Sequence, residues 1–284
     1  MYETLGVARE DHLTWLTLNR PEALNALSRR MVDELRDFFW NLADDRVSRV
    51  VVVRGAGRAF CAGLDLKEAA SVGSAGARSE AKPSEVMNSG EGAGGGSVPA
   101  FLRSQRHISE LVMLMRRAPQ PIIAAVHGAA AGGGFAIALA SDVRVAGQSA
   151  RMNAAFIRLG VSGCDIGVSY FLPRVVGASV ASELLLTGDF IDAARAERTG
   201  LVSRVVPDDQ LEDCARTLAQ SMLRNSPLAL RLTKECLKHS IDAGSLEQVI
   251  AMEDRNQALA GSTRDFREGV AAFLQKRPAI FEDA

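Results

Sequence analysis

Short apolar runs separated by turn residues dominate the chain up to Pro207. The partly alternating run His12–Leu18 and the continuous run Val50–Val53 predict strands, the second of them buried on both faces. Apolar side chains recur at helical spacing between these runs, at Met31, Leu35, Phe38, Phe39 and Leu42. Ser28 precedes this stripe as a candidate N-cap. The pattern predicts a first unit of strand, strand, helix and strand.

The same alternation recurs twice further along the chain. The predicted helices contain Ile108–Met115, Gly132–Ala140, Glu183–Leu186 and Asp192–Arg198, and the predicted strands are Ile122–Val126, Asp142–Val145 and Leu201–Val206. Pro119 and Pro121 end the first of these helices. Alternating strands and helices are typical of α/β proteins.

The organisation changes at Pro207 and again within residues 71–99. Residues 208–284 carry only helical periodicity, which predicts a core at 1–207 followed by a helical region. The stretch from Ser71 to Pro99 is crowded with Gly and Ser and contains no aromatic residue. Such a composition buries too little surface to offset ordering entropy, so we expect a flexible insertion. Because this stretch follows a strand and a turn, an active-site flap is the alternative interpretation.

Composition and charge exclude several classes of partner. The 284 residues hold 33 Lys+Arg and 34 Asp+Glu, a net charge of -1, and only 5% aromatic residues. Neither nucleic acid nor an anionic membrane is expected to bind such a balanced surface. The uncharged run Pro121–Ala140 is long enough to span a bilayer, but its glycine triplet favours a strand, a turn and a buried helix.

The cysteines favour a reduced, cytoplasmic protein without metal. Cys61, Cys164, Cys214 and Cys236 form no CxxC pair, so a structural zinc site is not expected. The N-terminus shows no basic and apolar segments of a secretory signal.

Two glycine-rich turns are candidates for the chemistry. Ala59–Leu66 follows the Val50–Val53 strand, and His127–Phe135 follows the Ile122–Val126 strand and opens a helix. Backbone N–H groups at such turns attract negative charge, and two facing turns can hold one oxygen as an oxyanion hole. Close packing around glycine is the alternative for each turn. Nucleotide binding is disfavoured because neither turn has a phosphate-loop pattern.

The chain resembles the crotonase, or enoyl-CoA hydratase/isomerase, superfamily. Asn19–Leu27 is similar to its N-terminal signature, and the two glycine-rich turns resemble its oxyanion-hole motifs. Leu184–Gly188 and Ala196–Val202 resemble a later block of the family. The likeness covers nearly the whole chain in order, with residues 71–99 as the exception. These motifs are specific for the family but not for the reaction.

The resemblance implies a fold, a substrate class and an assembly. The implied α/β fold is a spiral of β-β-α units with a C-terminal helical region that forms homotrimers, often paired as hexamers. The implied substrate is an acyl-CoA thioester, so coenzyme A arrives with the substrate and no separate cofactor is expected. The implied oxyanion donors are the backbone N–H groups of Leu64 and Gly133, and the implied setting is fatty-acid or related carboxylic-acid metabolism.

The resemblance also assigns contacts to coenzyme A. The matching positions are Ala23 and Leu24 along the CoA path, Ala62, Asp65 and Leu66 at the adenine-side turn, and Phe273 and Lys276 near the C-terminus. The C-terminal pair reaches CoA from a neighbouring region or subunit. A solvated helix charge is the alternative for Lys276.

The sequence departs from the family at the two hydratase glutamates. These positions are occupied by Ala136 and Phe156, which we expect to line the site of the acyl group. Adding water across a double bond needs groups that activate water and deliver a proton, and neither side chain can do so. The two-glutamate route of hydration is therefore not expected.

Asp165 is the remaining candidate for acid–base chemistry. Its position in the sequence resembles that of a catalytic aspartate in isomerases and dehalogenases of the family, although the gap from Gly160 to Asp165 is one residue longer here. A carboxylate near an apolar acyl pocket has a raised pKa and acts as a base. The alternative is a turn aspartate that caps the helix starting near Gly167.

Three functions stay open from the sequence. The leading hypothesis is an enolate-stabilising enzyme, with double-bond isomerisation or another single-carboxylate reaction favoured. The second is a thioesterase or dehalogenase with Asp165 as nucleophile. The third is an acyl-CoA-binding protein without catalysis. We expect structural roles for His107, His127, Cys61 and Cys164.

Overall fold

A computed structural model describes residues 2–68 and 98–283. The first unit contains β1 (Leu5–Glu10), β2 (Leu13–Leu18), α1 (Arg29–Leu42) and β3 (Val50–Gly55). The hydroxyl of Ser28 accepts a hydrogen bond of 3.2 Å from the Met31 amide, which confirms the predicted cap of α1.

The second and third units repeat helices and strands, and they contain the predicted elements together with three short strands that were not predicted, β5, β7 and β8. The elements are α2 (Val98–Arg117), β4 (Ile122–Val126), β5 (Ala129–Ala131), α3 (Gly133–Ala140), β6 (Val143–Gly147), β7 (Arg151–Asn153), α4 (Val168–Val176), α5 (Ala178–Thr187), β8 (Ile191–Asp192), α6 (Ala193–Arg198) and β9 (Arg204–Val206). Val98 and Pro99 belong to α2, while the rest of the predicted insertion, and with it the question of a flap, lies outside the described residues.

Two sheets organise these elements. The larger sheet has the order β1-β2-β3-β4-β6-β9, antiparallel between β1 and β2 and parallel elsewhere. The smaller sheet has the order β5-β7-β8. The inner strands β3 and β4 are buried on both faces, which explains why their sequences are continuous apolar runs.

Helices cover both faces of the larger sheet. On one face, α1, α2, α3 and α4 contribute to the main apolar cluster with Leu16, Val53 and Ala124. On the other face, Trp15, Val52 and Ile123 pack against α7 (Leu211–Leu223) through Leu211, Ala215 and Ala219. The sheet is therefore the middle of three layers.

The described chain beyond β9 contains helices and no strand, as predicted. After α7 come α8 (Pro227–Ser240), α9 (Leu246–Gly261) and α10 (Arg264–Gln275). Within the described ranges, no helix is long and apolar enough to cross a membrane. The run Pro121–Ala140 folds into β4, β5 and α3, which confirms its interpretation as strand, turn and helix.

Candidate active site

Backbone pairing brings the two glycine-rich turns together. Cys61 pairs with Ala130 in a parallel bridge, closed by hydrogen bonds from the Cys61 amide to the Ala129 carbonyl (3.0 Å) and from the Ala131 amide to the Cys61 carbonyl (2.9 Å). The Gly132 amide continues this pairing to the Asn153 carbonyl at 2.9 Å. Segments far apart in sequence therefore share one hydrogen-bonded layer at the ends of β3 and β4.

The N-terminal signature, Asn19–Leu27, pairs with the other side of the first glycine-rich turn. Leu27 pairs with Leu64 in a second parallel bridge, in which the Leu27 amide donates to the Gly63 carbonyl at 2.7 Å. The buried Asn25 side chain holds the signature against the first turn, because its amide nitrogen donates to the carbonyls of Ala56 and Ala59, both at 2.8 Å. Asn25 thus has a structural role in positioning the first turn.

The amides of Leu64 and Gly133 differ from their neighbours because they have no acceptor among the described residues. Neighbouring amides are occupied: those of Ala62 and Asp65 donate to the carbonyls of Leu24 and Leu27, both at 3.0 Å. Neither Leu64 nor Gly133 donates from its backbone N–H group to any acceptor among the described residues. Gly133 is the first residue of α3, where orphan amides and the positive end of the helix dipole favour negative charge.

Glycine lets the two turns approach at van der Waals distance. An ideal Cβ placed on Gly63 would lie 2.7 Å from the Ala131 carbonyl oxygen and 3.5 Å from the Gly133 nitrogen. Gly63 also has a φ of 93°, which side-chain-bearing residues rarely adopt. The first turn therefore passes directly beside the start of α3. Close packing around glycine is therefore present here, beside two amides that have no acceptor in the described part of the chain.

Asp165 lies on the segment that borders the start of α3. Cδ1 of the following residue, Ile166, would lie 3.8 Å from a Cβ placed on Gly133. The Asp165 carboxylate is half-buried and accepts hydrogen bonds from the Ile166 amide (2.8 Å) and from the side chain of Gln105. Burial raises the pKa of Asp165, and these two donors oppose the rise.

The helix-cap interpretation of Asp165 is not what the structure shows. α4 begins at Val168, close to the predicted start, but its N-cap is Gly167 and receives no side-chain cap hydrogen bond. The Val168 amide donates to the backbone carbonyl of Asp165 at 2.9 Å rather than to its carboxylate. The carboxylate therefore has no capping role.

Ala136 and Phe156 lie next to the glycine triplet as apolar groups. Ala136 is fully buried in α3, and its amide donates to the Gly132 carbonyl. The Phe156 ring lies 3.4 Å from where a Cβ on Gly132 would stand. Neither side chain can transfer a proton.

The predicted CoA contacts fall into two groups. The first group lies at the first turn, where the Ala62 amide donates a hydrogen bond to the carbonyl of Leu24, the neighbour of Ala23. Asp65 and Leu66 follow directly after this turn. Phe273 and Lys276 lie at the end of α10, where Phe273 is 81% exposed. No described contact joins this pair to the turns within one chain, so their role stays a prediction.

The Asp65 side chain has a structural role in the turn. Arg20 contacts it at 3.0 Å, and the Glu68 amide donates to it at 3.3 Å, which caps the helical turn that begins at Leu66. Burial alone would raise the pKa of Asp65, but the bonds from Arg20 and from the amides of Glu68 and Lys67 lower it overall.

The remaining polar candidates have structural partners. His127 contacts the Gly57 carbonyl at 2.9 Å, and His107 contacts Asp33 and Arg36. Burial raises the pKa of the Cys61 thiol to about 12, so a reactive thiolate is not expected there. All four cysteines are free, and the described residues contain no cluster that could hold a metal ion.

Sequence reasoning missed Gln105, the side chain on α2 that reaches Asp165. One signal was present: Gln105 continues the inward stripe of Ile108, Val112 and Met115 at helical spacing. A polar residue at an apolar position of an amphipathic helix marks a site that needs a hydrogen bond.

Comparisons with known proteins agree with this architecture. Residues 8–89 and 95–284 match the family model described as enoyl-CoA hydratase/isomerase. A Mycobacterium tuberculosis protein that carries the name of an enoyl-CoA hydratase is 39% identical over 270 residues, covering 94% of this chain and 88% of its own. The 1,2-epoxyphenylacetyl-CoA isomerase of Escherichia coli is 35% identical over 267 residues, covering 94% and 93% of the two chains.

Solved structures show the same fold. The enoyl-CoA hydratase of Bacillus anthracis superposes with a TM-score of 0.85 at 31% identity, covering 99% of this chain and 100% of its own. That of Mycobacterium smegmatis gives a TM-score of 0.83 at 32% identity, covering 98% of each chain. The fold is therefore the crotonase fold, and the chain belongs to the enoyl-CoA hydratase/isomerase family of acyl-CoA enzymes.

Proposed function

We propose that the protein transforms an acyl-CoA thioester by stabilising its enolate between the backbone amides of Leu64 and Gly133. The observation that carries this proposal is that both N–H groups lack an acceptor among the described residues although their turns pack side by side. An enolate oxygen accepts both bonds, and α3 adds the positive end of its dipole. Each such donor contributes about 3–4 kcal/mol to the transition state.

Asp165 is the proposed acid–base group, and double-bond isomerisation is the reaction that it suits. Its carboxylate removes a proton from the α-carbon of a 3-enoyl thioester, and the electron pair moves into the enolate. The same carboxyl group then returns the proton to the γ-carbon, so that a 2-enoyl thioester forms. One carboxylate completes this cycle, which fits the absence of carboxyl groups at Ala136 and Phe156. The 35% sequence identity to the 1,2-epoxyphenylacetyl-CoA isomerase of Escherichia coli supports an isomerase in general.

The substrate contacts and the assembly follow from the same proposal. Ala23, Leu24, Ala62, Asp65 and Leu66 bind coenzyme A near the first turn, and Phe273 and Lys276 complete the site from a neighbouring subunit. A homotrimer, or a hexamer of two trimers, is supported by exposed apolar residues on the C-terminal helices, which include Leu246, Ile250, Phe266, Val270, Phe273 and Leu274. A cytoplasmic location remains an expectation from the cysteines.

Product analysis with 2-enoyl-, 3-enoyl- and dienoyl-CoA esters tests the reaction type. We expect migration of a double bond and little hydration, because Ala136 and Phe156 stand at the positions of the two hydratase glutamates. Hydration of 2-enoyl-CoA as the main reaction would contradict the proposal. Binding of every ester without any product would favour an acyl-CoA-binding protein instead.

The role of Asp165 is tested by Asp165→Asn with Asp213→Asn as the control. Asp213 is exposed on α7, away from the two turns. Loss of an acid–base group lowers kcat by about 100-fold or more. CoA-ester affinity should be unchanged, because Asp165 is not among the proposed CoA contacts. Unchanged kcat would remove Asp165 from the mechanism, and a covalent acyl-enzyme in intact-mass spectra would identify it as a nucleophile.

A further inference from the structure

The carboxylate of Asp165 is held on one side only. Its Oδ1 atom accepts both of its hydrogen bonds, one from the Ile166 amide and one from the side-chain amide of Gln105 on α2. Among the described residues, no donor contacts Oδ2. A carboxylate that is held through one oxygen keeps the lone pairs of the other oxygen available for a proton.

We propose that Gln105 is a positioning residue that holds Oδ1 of Asp165 so that Oδ2 faces the substrate. The Ile166 amide is attached to the next residue and moves with the turn, whereas Gln105 lies sixty positions earlier and ties the carboxylate to a separate helix. Two donors on one atom, from two elements, fix the rotation of the carboxyl group about its Cβ–Cγ bond. This inference rests on the proposed function, in which Asp165 is the acid–base group.

A neutral donor suits this task better than a cation. Lysine or arginine at position 105 would stabilise the carboxylate by charge as well as by hydrogen bonding and would weaken it as a base. Glutamine directs the carboxylate while burial keeps its pKa above the ordinary value. Gln105 therefore combines orientation with basicity.

The charged groups around Asp165 are engaged elsewhere or exposed. On α2, Arg103 and Arg106 are exposed, His107 contacts Asp33, and Arg116 pairs with Asp142. On α4, Tyr170 and Arg174 both contact Asp242, and Cys164 before it is exposed. α3 carries no ionisable side chain. None of the described charged groups contributes to the pKa shift of Asp165, so changes at position 105 should be readable without interference.

The test compares Gln105→Met, Gln105→Lys and the control Ser104→Ala. Methionine keeps the length of glutamine but removes the donor, whereas lysine keeps a donor and adds charge. Ser104 is the preceding, exposed residue of α2. The readout is the acidic limb of kcat/KM against pH, measured with the CoA ester of the panel that is turned over fastest. An infrared titration of the carboxylate in protein with ¹³C-labelled aspartate, from which the Asp165→Asn spectrum is subtracted, gives the same pKa without substrate.

The two variants should move the pKa of Asp165 in opposite directions. Loss of a hydrogen bond to a charged group in Gln105→Met raises it by about 1–2 units. Gln105→Lys should lower it below the wild-type value, and Ser104→Ala should leave it unchanged. A structural role of Gln105 predicts no such opposed shifts.

Failure of this inference is distinguishable from failure of the proposed function. If Asp165→Asn loses activity but neither Gln105 variant moves the titration of Asp165, the positioning role is overturned and the proposed function stands. If Asp165→Asn keeps its activity, the proposed function is overturned, and the role of Gln105 in catalysis with it.

Discussion

At the scale of single residues, the ion pair of Arg20 and Asp65 holds the first turn in place. Arg20 also donates to the Ala26 carbonyl at 2.7 Å, so one guanidinium connects the N-terminal signature to the residue that follows Leu64. The sequence predicted Asp65 as a CoA contact through the family resemblance. Its tie to Arg20 was not predictable, because forty-five positions separate them and no local pattern links them.

The Arg20–Asp65 pair should make stability depend on pH. The pKa of Asp65 is lower in the folded protein than its ordinary value, so the folded state binds fewer protons than the unfolded state around pH 4. Stability from this pair is present above pH 4 and is lost as the pH falls through the folded pKa. Urea unfolding between pH 2.5 and 6 should show a loss of about 0.5–1 kcal/mol that is absent in Asp65→Asn.

Asparagine at position 65 is a matched change because it still caps the helical turn at Leu66 and lacks only the charge. An identical pH dependence in both proteins would show that the Arg20–Asp65 pair contributes nothing to stability.

At the scale of elements, the long strands and amphipathic helices were predictable, while the short strands next to the candidate site were not. The runs Val50–Val53 and Ile122–Val126 lie within β3 and β4, because continuous burial requires apolar side chains at every position. The short strands β5, β7 and β8 were not predicted. Each is only two or three residues long and is joined to its neighbours by backbone bonds, which leave no periodic pattern of side chains.

The contact of α3 with the first turn is the element-level feature that a single methyl group can test. A Cβ on Gly134 would lie 2.2 Å from the carbonyl oxygen of Cys61, whereas a Cβ on Gly261, at the end of α9, would meet nothing within 4 Å. We expect Gly134→Ala to lose about 1–3 kcal/mol of stability and most of its activity, because α3 must move away with the Gly133 amide. Gly261→Ala should lose neither.

Thermal unfolding and turnover of both variants provide the measurement. The proposed pairing of amides requires that α3 and the first turn are in contact. A Gly134→Ala protein with wild-type stability and turnover would contradict that requirement.

At the scale of the whole molecule, a buried ion pair fastens the C-terminal helices to the core. Lys234 of α8 is 6% exposed, and its ammonium lies 2.8 Å from Asp142 and donates to the Gln120 carbonyl at 2.7 Å. Burial lowers the pKa of Lys234, and Asp142 opposes this effect. The sequence predicted a helical C-terminal region from periodicity but not its attachment, because a lysine in an amphipathic helix is normally solvated.

Replacing Lys234 should loosen this attachment. Lys234→Met keeps the length of the side chain but removes the charge that faces Asp142, and breaking a buried pair costs about 3 kcal/mol. Arg116 still contacts Asp142 at 3.0 Å, which places the expected loss at the lower end for such pairs. Lys238→Met, one turn later on α8 and partly exposed, is the matched control and should change the free energy of unfolding by less than about 0.5 kcal/mol. Equal losses in both variants would contradict the attachment.

The proposed function depends most on two amides that polarise one carbonyl group, and vibrational spectroscopy observes that carbonyl directly. Isotope-edited infrared spectra of bound, saturated acyl-CoA esters with a ¹³C thioester carbonyl, recorded at saturation established by titration, report the strength of its hydrogen bonds. We expect the carbonyl stretching frequency of the bound ester to lie clearly below that of the free ester in water, and to return partly towards the free value in Gly134→Ala. An unshifted frequency in the saturated wild-type protein, or no binding of any ester, would contradict it.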